Sequence, residues 1–269
     1  MIIDFHCHID FERAGGDDSA SPEEVEEHLA ENKVRIALLQ PYSIKGDDIE
    51  HHLDVNRKVA EYAQDNGHYA LVRVDPFRFT DSEIERLVKT GMFDLGALGI
   101  KLHPSDGYHI SDLQDHTYVF ELAQQFSLPI MIHTWTRNEL DWLGPEKFSE
   151  VAELAGIYRD IKFIAAHVDV GKVEFDRHMN DNSNLYVDVS LQYFAPFRDY
   201  ALADPSNPLL DRIFYGSDFG VGKFPINEDK NMHLSDGVVV PETVVSELPK
   251  EVAHKLLYQN AFDFFIRRI

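Results

Sequence analysis

Short apolar, β-branched runs alternate with amphipathic segments along almost the whole chain. The runs are IIDFHCHI (2–9), VRIALLQPY (34–42), YALVRVDP (69–76), ALGIKLHP (97–104), PIMIHTW (129–135), IKFIAAHVD (161–169), NLYVDVSL (184–191) and RIFYGSDF (212–219). Between them lie helix candidates. SPEEVEEHLAEN opens with Ser21 as N-cap, Pro22 at the first helical position and Glu24 three residues on, a capping box. DDIEHHLDVNRKVAEYAQDNG stops at Gly67, and TDSEIERLVKTG runs from a capping Thr80 or Asp81 to Gly91. DHTYVFELAQQFS, GPEKFSEVAELAGIYRD and the closing PKEVAHKLLYQNAFDFFIRR follow, while the crossovers after the sixth and seventh runs are weak as helices. Strands that alternate with helices imply βαβ units and parallel pairing. Eight such units predict a single (β/α)8 TIM-like barrel domain spanning 1–269. An open doubly wound sheet is the alternative, but the first strand is followed by no GxGxxG, and Gly15–Gly16 stand too far on. The longest irregular stretch, 220–240, follows the last strand and is expected over the barrel mouth.

Length and composition fit that picture. The 269 residues suit one barrel, and 44% hydrophobic with 27% charged residues is an ordinary globular balance. A net charge of −22 repels nucleic acid and anionic membrane surfaces, so neither is an expected partner. A small-molecule substrate is expected, an anionic one included, since local cations or a metal can hold it; a homodimer is left open. The one cysteine, Cys7, excludes an intrachain disulfide and a Cys-rich zinc module. MIIDFHCHIDFER turns polar too soon for a secretory leader, and no apolar run approaches the roughly 20 residues of a bilayer span, so a cytoplasmic protein is expected.

The polar residues late in the strands form a pattern of their own. They are His6 and His8, Arg73 and Asp75, Lys101 and His103, His133, His167, and Asp218. In a barrel the C-terminal strand ends ring one mouth, where reactive groups from different strands meet. Residues i and i+2 on a strand share a face, so His6 and His8 point the same way, roughly 7 Å apart, and two imidazoles so placed can converge on one ion. Cys7 points oppositely and reads as a small buried hydrophobe. By the same parity Asp4 shares the histidine face and reads as a buried supporting carboxylate. A lone HxH is as readily a loop feature; the histidines and Asp218 at equivalent places in other strands turn it into a candidate metal site.

Taken together, DFHCH, GIKLHP, IMIHT, FIAAHVD and YGSDF resemble the amidohydrolase superfamily of metal-dependent (β/α)8 enzymes. The nearest branch is the amidohydrolase-related group, which includes decarboxylases similar to aminocarboxymuconate semialdehyde decarboxylase; YQNAFDFF resembles that branch's closing helix. The resemblance implies one divalent ion, most often zinc, with a second ion in some members. It implies His6, His8, His133 and Asp218 as ligands and His167 as a catalytic acid/base or orienting group in one-ion members or a further ligand in two-ion members. Lys101 falls where two-ion members carry a carboxylated bridging lysine; it is equally a candidate for binding an anionic substrate group, or one half of an ion pair.

The chemistry expected of such a site follows from its parts. A divalent ion lowers the pKa of bound water toward about 7. Asp218 would hold that water's proton and His167 would stabilise charge on the substrate. Hydrolysis of an amide, lactone or ester is one outcome; the alternative is metal-dependent decarboxylation of an unsaturated or aromatic acid. Lys101, His103, Arg73 and Trp135 are the substrate-binding candidates, with Arg137, Lys223 and Tyr42 nearby; each is also readable as packing or a solvated loop residue. A metal-storing barrel without chemistry is the non-enzymatic reading.

Overall fold

The first apolar run becomes strand β1 (Ile3–Ile9), buried along its whole length. A computed structural model describes residues 1–12, 19–104, 108–134, 148–170, 174–190, 194–220 and 240–266. The other strands are β2 (Ile36–Pro41), β3 (Tyr69–Ala70), β4 (Val72–Arg73), β5 (Ile100–Leu102), β6 (Ile130–His133), β7 (Phe163–Ala166), β8 (Leu185–Val189) and β9 (Ile213–Tyr215). They pair in parallel in chain order, β1-β2-β3 and β4 through β9. Strands β3 and β4 are two halves of one stave: the Leu71 N–H between them donates to the Leu39 carbonyl (2.9 Å), and the next N–H, of Val72, turns to Gly99 (3.0 Å). At the other seam Asp218 N–H donates to His6 carbonyl (2.8 Å) and His8 N–H to Phe219 carbonyl (2.7 Å). The eight staves form a (β/α)8 barrel, as the alternation of runs predicts.

The crossovers follow their sequence signals. The capping box of Ser21 and Glu24 starts the helix Pro22–Glu31. The helix Ile49–Asp65 is followed by Gly67 at φ 75°, the left-handed conformation that favours glycine. The crossovers that looked weak still carry helices, Phe175–Asp181 and Phe194–Ala203, because burial of Phe175, Met179, Phe194 and Phe197 against the sheet supplies what local propensity lacks. The closing segment is one helical path with a π turn at Lys255–Gln259 before the helix Asn260–Ile266. Asn260 ties that path to the sheet: its buried amide donates to the carbonyls of Leu210 (2.7 Å), before β9, and of Ile213 (2.6 Å), its first residue.

Two apolar layers face away from each other across the sheet. Cys7, Ala37 and Leu39 pack outward against Val25 and Leu29 of the first helix and Val59 and Ala63 of the second. Ile3, Phe5, Leu38, Leu71, Met131, Ile164 and Phe214 point inward and fill the lower lumen, joined by Ala261 and Phe264 of the last helix. One irregularity decides what lies above them. Asp4 pairs with Ala37 and Cys7 with Leu39, so β1 carries one residue more than β2 over this step. This bulge lets Phe5 end the lumen core while His6 and His8 both face inward above it. It also overturns the parity reading of Asp4, which registers with the outward-facing Ala37 instead of with the histidines. Among the described residues no helix is long and apolar enough to cross a membrane.

Candidate metal centre

β1 delivers His6 and His8 to the mouth, and the turn after β9 brings Asp218 against them. That turn is tight by construction. A side chain at Gly216 would sit 2.7 Å from the His6 Cβ, and one at Gly220 (φ 90°) would meet the His8 carbonyl oxygen at 2.3 Å. Only glycine allows the two strands to approach this closely. Asp218 itself has φ 54°, and His167, at the end of β7, has φ 62°. Left-handed backbone at a non-glycine residue costs about 1–3 kcal/mol and persists only where the surroundings impose it.

His6 Nε2 lies 3.1 Å from His8 Nε2 and 3.3 Å from Asp218 Oδ1, and His8 Nε2 lies 3.1 Å from the same oxygen. Tetrahedral ligands held at 2.0–2.1 Å from an ion are separated by about 3.3–3.4 Å, so this triangle has the edge of a metal site. Asp218 Oδ1 is buried and accepts no hydrogen bond. The two imidazoles cannot satisfy it and each other at once, since a neutral ring has one proton to give. A divalent cation is the group that satisfies all three atoms, and the donor set fits one. His6, His167 and Asp218 also offer atoms within 4.8 Å of one another, which carries the cluster toward β7.

His133 stands beyond that cluster. Its Nδ1 is 3.1 Å from His167 Nε2, and its ring stacks on His103 with centroids 4.1 Å apart. His133 thus adjoins His167, which itself belongs to the group with His6 and Asp218. Lys101, fully buried, sets its Nζ 3.4 Å from His6 Nε2. Arg73 is also buried, and its guanidinium donates to the carbonyls of Pro41 (3.2 Å) and Tyr42, anchoring the loop after β2. His103 is fixed through its N–H to the Tyr108 hydroxyl (3.1 Å), and Tyr42 sets its ring edge-on to His8 at 5.9 Å. Trp135, Arg137 and Lys223 lie outside the described residues, as does most of the 220–240 stretch.

Three polar residues at the mouth were not singled out from the sequence. Asp188 Oδ2 is 2.9 Å from His6 Nδ1, and its Oδ1 accepts the Ser190 hydroxyl (2.8 Å) and the His167 N–H (3.2 Å). Ser190 Oγ lies 2.8 Å from His167 Nδ1. Gln40, fully buried, brings its amide nitrogen to 3.5 Å from His8 Nε2. The signal was present: Asp188 and Ser190 alternate with valines at the late end of the NLYVDVSL run, where the other mouth residues were found.

Burial governs the charges here. It drives His6, His8, His103 and His167 well below the ordinary histidine range. Lys101 then adds to this for His6, the His6 ring for His8, and His133 for His103 and His167. Burial pushes the Asp218 carboxyl well up, with Lys101 opposing and Asp188 and Asp4 reinforcing. It lifts Asp4 to about 6 against the hydrogen bonds from Ser217. Neutral imidazoles are the form that ligates metal, and a carboxylate short of donors is the form that welcomes a cation.

Comparison with known proteins agrees with this fold. A family model described as amidohydrolase matches residues 3–266. No curated protein matches the chain. Among solved structures, 5-carboxyvanillate decarboxylase from Sphingomonas paucimobilis is similar over 98% of this chain and 98% of its own, with a TM-score of 0.65 at 13% identity. 4-Oxalomesaconate hydratase from Rhodopseudomonas palustris is similar over 100% and 96%, with a TM-score of 0.65 at 15% identity. A candidate 2-pyrone-4,6-dicarboxylic acid hydrolase from Pseudomonas putida is similar over 100% and 98%, with a TM-score of 0.63 at 15% identity. At such identities the likeness speaks for the fold.

Proposed function

The chain belongs to the amidohydrolase family, and from that premise we propose that it is a metal-dependent hydrolase acting on a small amide, lactone or ester. The observation that carries the proposal is the triangle of His6 Nε2, His8 Nε2 and Asp218 Oδ1, whose edges of 3.1–3.3 Å suit three ligands that would hold one divalent ion. A divalent ion held there, zinc being one that imidazole and carboxylate suit, would supply an acidified water and a Lewis acid for the substrate carbonyl. Asp218, with its carboxyl raised by burial, accepts a proton at Oδ2. His167, 3.7 Å from that oxygen through Nδ1, lies beside the reacting group and orients it. Lys101 adds positive charge beneath the site, and with Arg73 it favours an anionic substrate.

Two finer points rest on separate observations. The His133–His167 pair, 3.1 Å apart and offset from the triangle, supports a second ion in which Lys101 would be a bridging group once carboxylated. The likeness to a decarboxylase supports loss of CO2 as the alternative outcome, because the same ion, base and cation serve both reactions. Metal analysis of protein purified without chelators is expected to find at least one divalent ion per chain, and two would favour the bridged site. A panel of lactones, amides, esters and unsaturated acids, scored for water addition against CO2 release, then divides the reactions. Metal-free protein whose stability is unchanged by zinc, and which turns over none of the panel with zinc supplied, would overturn the proposal.

A further inference from the structure

The hydrogen bonds behind the histidines run in one direction and end on one residue. As a carboxylate, Asp188 can only accept. Its Oδ2 is 2.9 Å from His6 Nδ1, so the proton of that pair sits on Nδ1 and His6 Nε2 is bare. Its Oδ1 takes the Ser190 hydroxyl proton at 2.8 Å. Ser190 then has no proton left for His167, so at 2.8 Å from His167 Nδ1 its oxygen accepts. Nδ1 of His167 therefore carries the ring proton, and its Nε2 is bare as well. His133 Nδ1, 3.1 Å from that Nε2, becomes the donor at the far end. The other acceptor near His167 Nδ1, Asp218 Oδ2, stands at 3.7 Å, beyond hydrogen-bond reach. His6, His167, Asp188 and Ser190 are all buried, with Asp188 and Ser190 fully so.

We propose that Asp188 sets the tautomers of both halves of the cluster, directly for His6 and through Ser190 for His167, so that His6 turns an unprotonated Nε2 to His8 and Asp218 and His167 turns an unprotonated Nε2 to His133. Asp188 and Ser190 are thus positioning residues that act through the histidines. The tautomer claim stands on the protein alone; its use in holding an ion rests on the function proposed above.

The test uses metal-free protein labelled with 15N-histidine, read by long-range proton–nitrogen spectra at neutral pH. Wild type is expected to show both His6 and His167 protonated at Nδ1. Ser190→Ala, which deletes a single oxygen, is expected to release His167 toward protonation at Nε2 and leave His6 as it was. Asp188→Asn is expected to disturb both rings. A His167 that keeps its tautomer in Ser190→Ala, or a wild type with either ring protonated at Nε2, overturns the proposal. Zinc affinity by chelator competition gives the second readout, with an expected loss of about 10–100-fold for Asp188→Asn. An unchanged affinity overturns the link to the ion. Wild type that takes up no zinc would instead overturn the metal-centre reading, and the spectra would still decide the tautomers.

Discussion

The two ends of the barrel solve burial in opposite ways. At the lower end Phe5 and Phe214 stack with centroids 4.0 Å apart, and the last helix slides Phe264 and Phe265 beneath them at 5.5 and 5.2 Å from Phe5. Tyr186 closes the same group at 4.9 Å from Phe264. These rings meet through faces and edges, with the Lys162 ammonium 4.8 Å above the Phe264 ring at the rim of the group. At the upper end, a few residues along the same strands, the lumen holds His6, His8, Lys101, Asp188 and Asp218, all buried, with Asp218 Oδ1 lacking a donor. The difference teaches where stability is made and where it is given up. The aromatic end gains from every atom it buries; the polar end is expensive until a cation completes it.

Substitutions at the two ends should therefore part stability from activity. The largest effect is expected at Asp218: Asp218→Asn should lower turnover on the order of 10³-fold by removing charge at the reacting centre. The same change should raise the melting temperature of the metal-free protein, because a buried carboxylate without donors is exchanged for a neutral amide. Thermal scans of both proteins with and without zinc check this, and a lowered metal-free melting temperature would break the comparison. Phe264→Ala should do the converse. It should cost about 3–5 kcal/mol in denaturant titrations while zinc affinity of the folded fraction stays at the wild-type value. Gly216→Ala should touch both ends' territories, since its methyl meets the His6 Cβ at 2.7 Å. A cost of about 1–3 kcal/mol with a measurable fall in zinc affinity is expected, read by the same titrations.

The smallest effect is one of pH, and its sign differs from group to group. His6, His8, His103 and His167 have folded-state values held below the unfolded value, so the unfolded chain takes up more protons. Their contribution is intact above about 6.5 and is lost as pH falls below it. Asp4, raised to about 6, and Asp218, also raised by burial, work against this, because each binds its proton more readily in the folded form as pH falls. The four histidines outweigh the two carboxylates, so metal-free stability should decline from pH 6.5 to 5. Asp218→Asn should steepen that decline by removing one opposing group. Denaturant midpoints across that range read the slope.

Much of the fold was legible. The capping box at Ser21 and Glu24 and the stop at Gly67 are local chemistry, and each marks a helix end in the structure. The eight apolar runs all became staves, because a strand buried on both faces writes its burial directly into composition. Of the site, the mouth residues that end their strands with abrupt polarity were found, and His6, His8, His167 and Asp218 do converge. Asp188 and Ser190 carried the same signal and were passed over beside the more familiar histidines. Asp4 is the buried supporting carboxylate it was read as, accepting from the His6 and Ser217 N–H groups. Its face was misassigned, because a period of two holds only while the ladder stays in register and the bulge in β1 is invisible in residue order. Arg73 was read both as a substrate cation and as a loop residue, and its guanidinium donates to the loop carbonyls of Pro41 and Tyr42.

By itself the sequence determined the alternation of strand and helix, the side of the sheet that Cys7 faces, and the stock of imidazoles and carboxylates at the strand ends. Those properties depend on neighbours a few positions away. Only the tertiary structure decided which of them meet. The seam between β1 and β9 brings Asp218 to His6 across more than two hundred positions of chain, through two glycines that permit the contact. β8 places Asp188 behind His6 and, with Ser190, behind His167. Such meetings depend on strand register and backbone approach, which are settled by the packing of the whole ring.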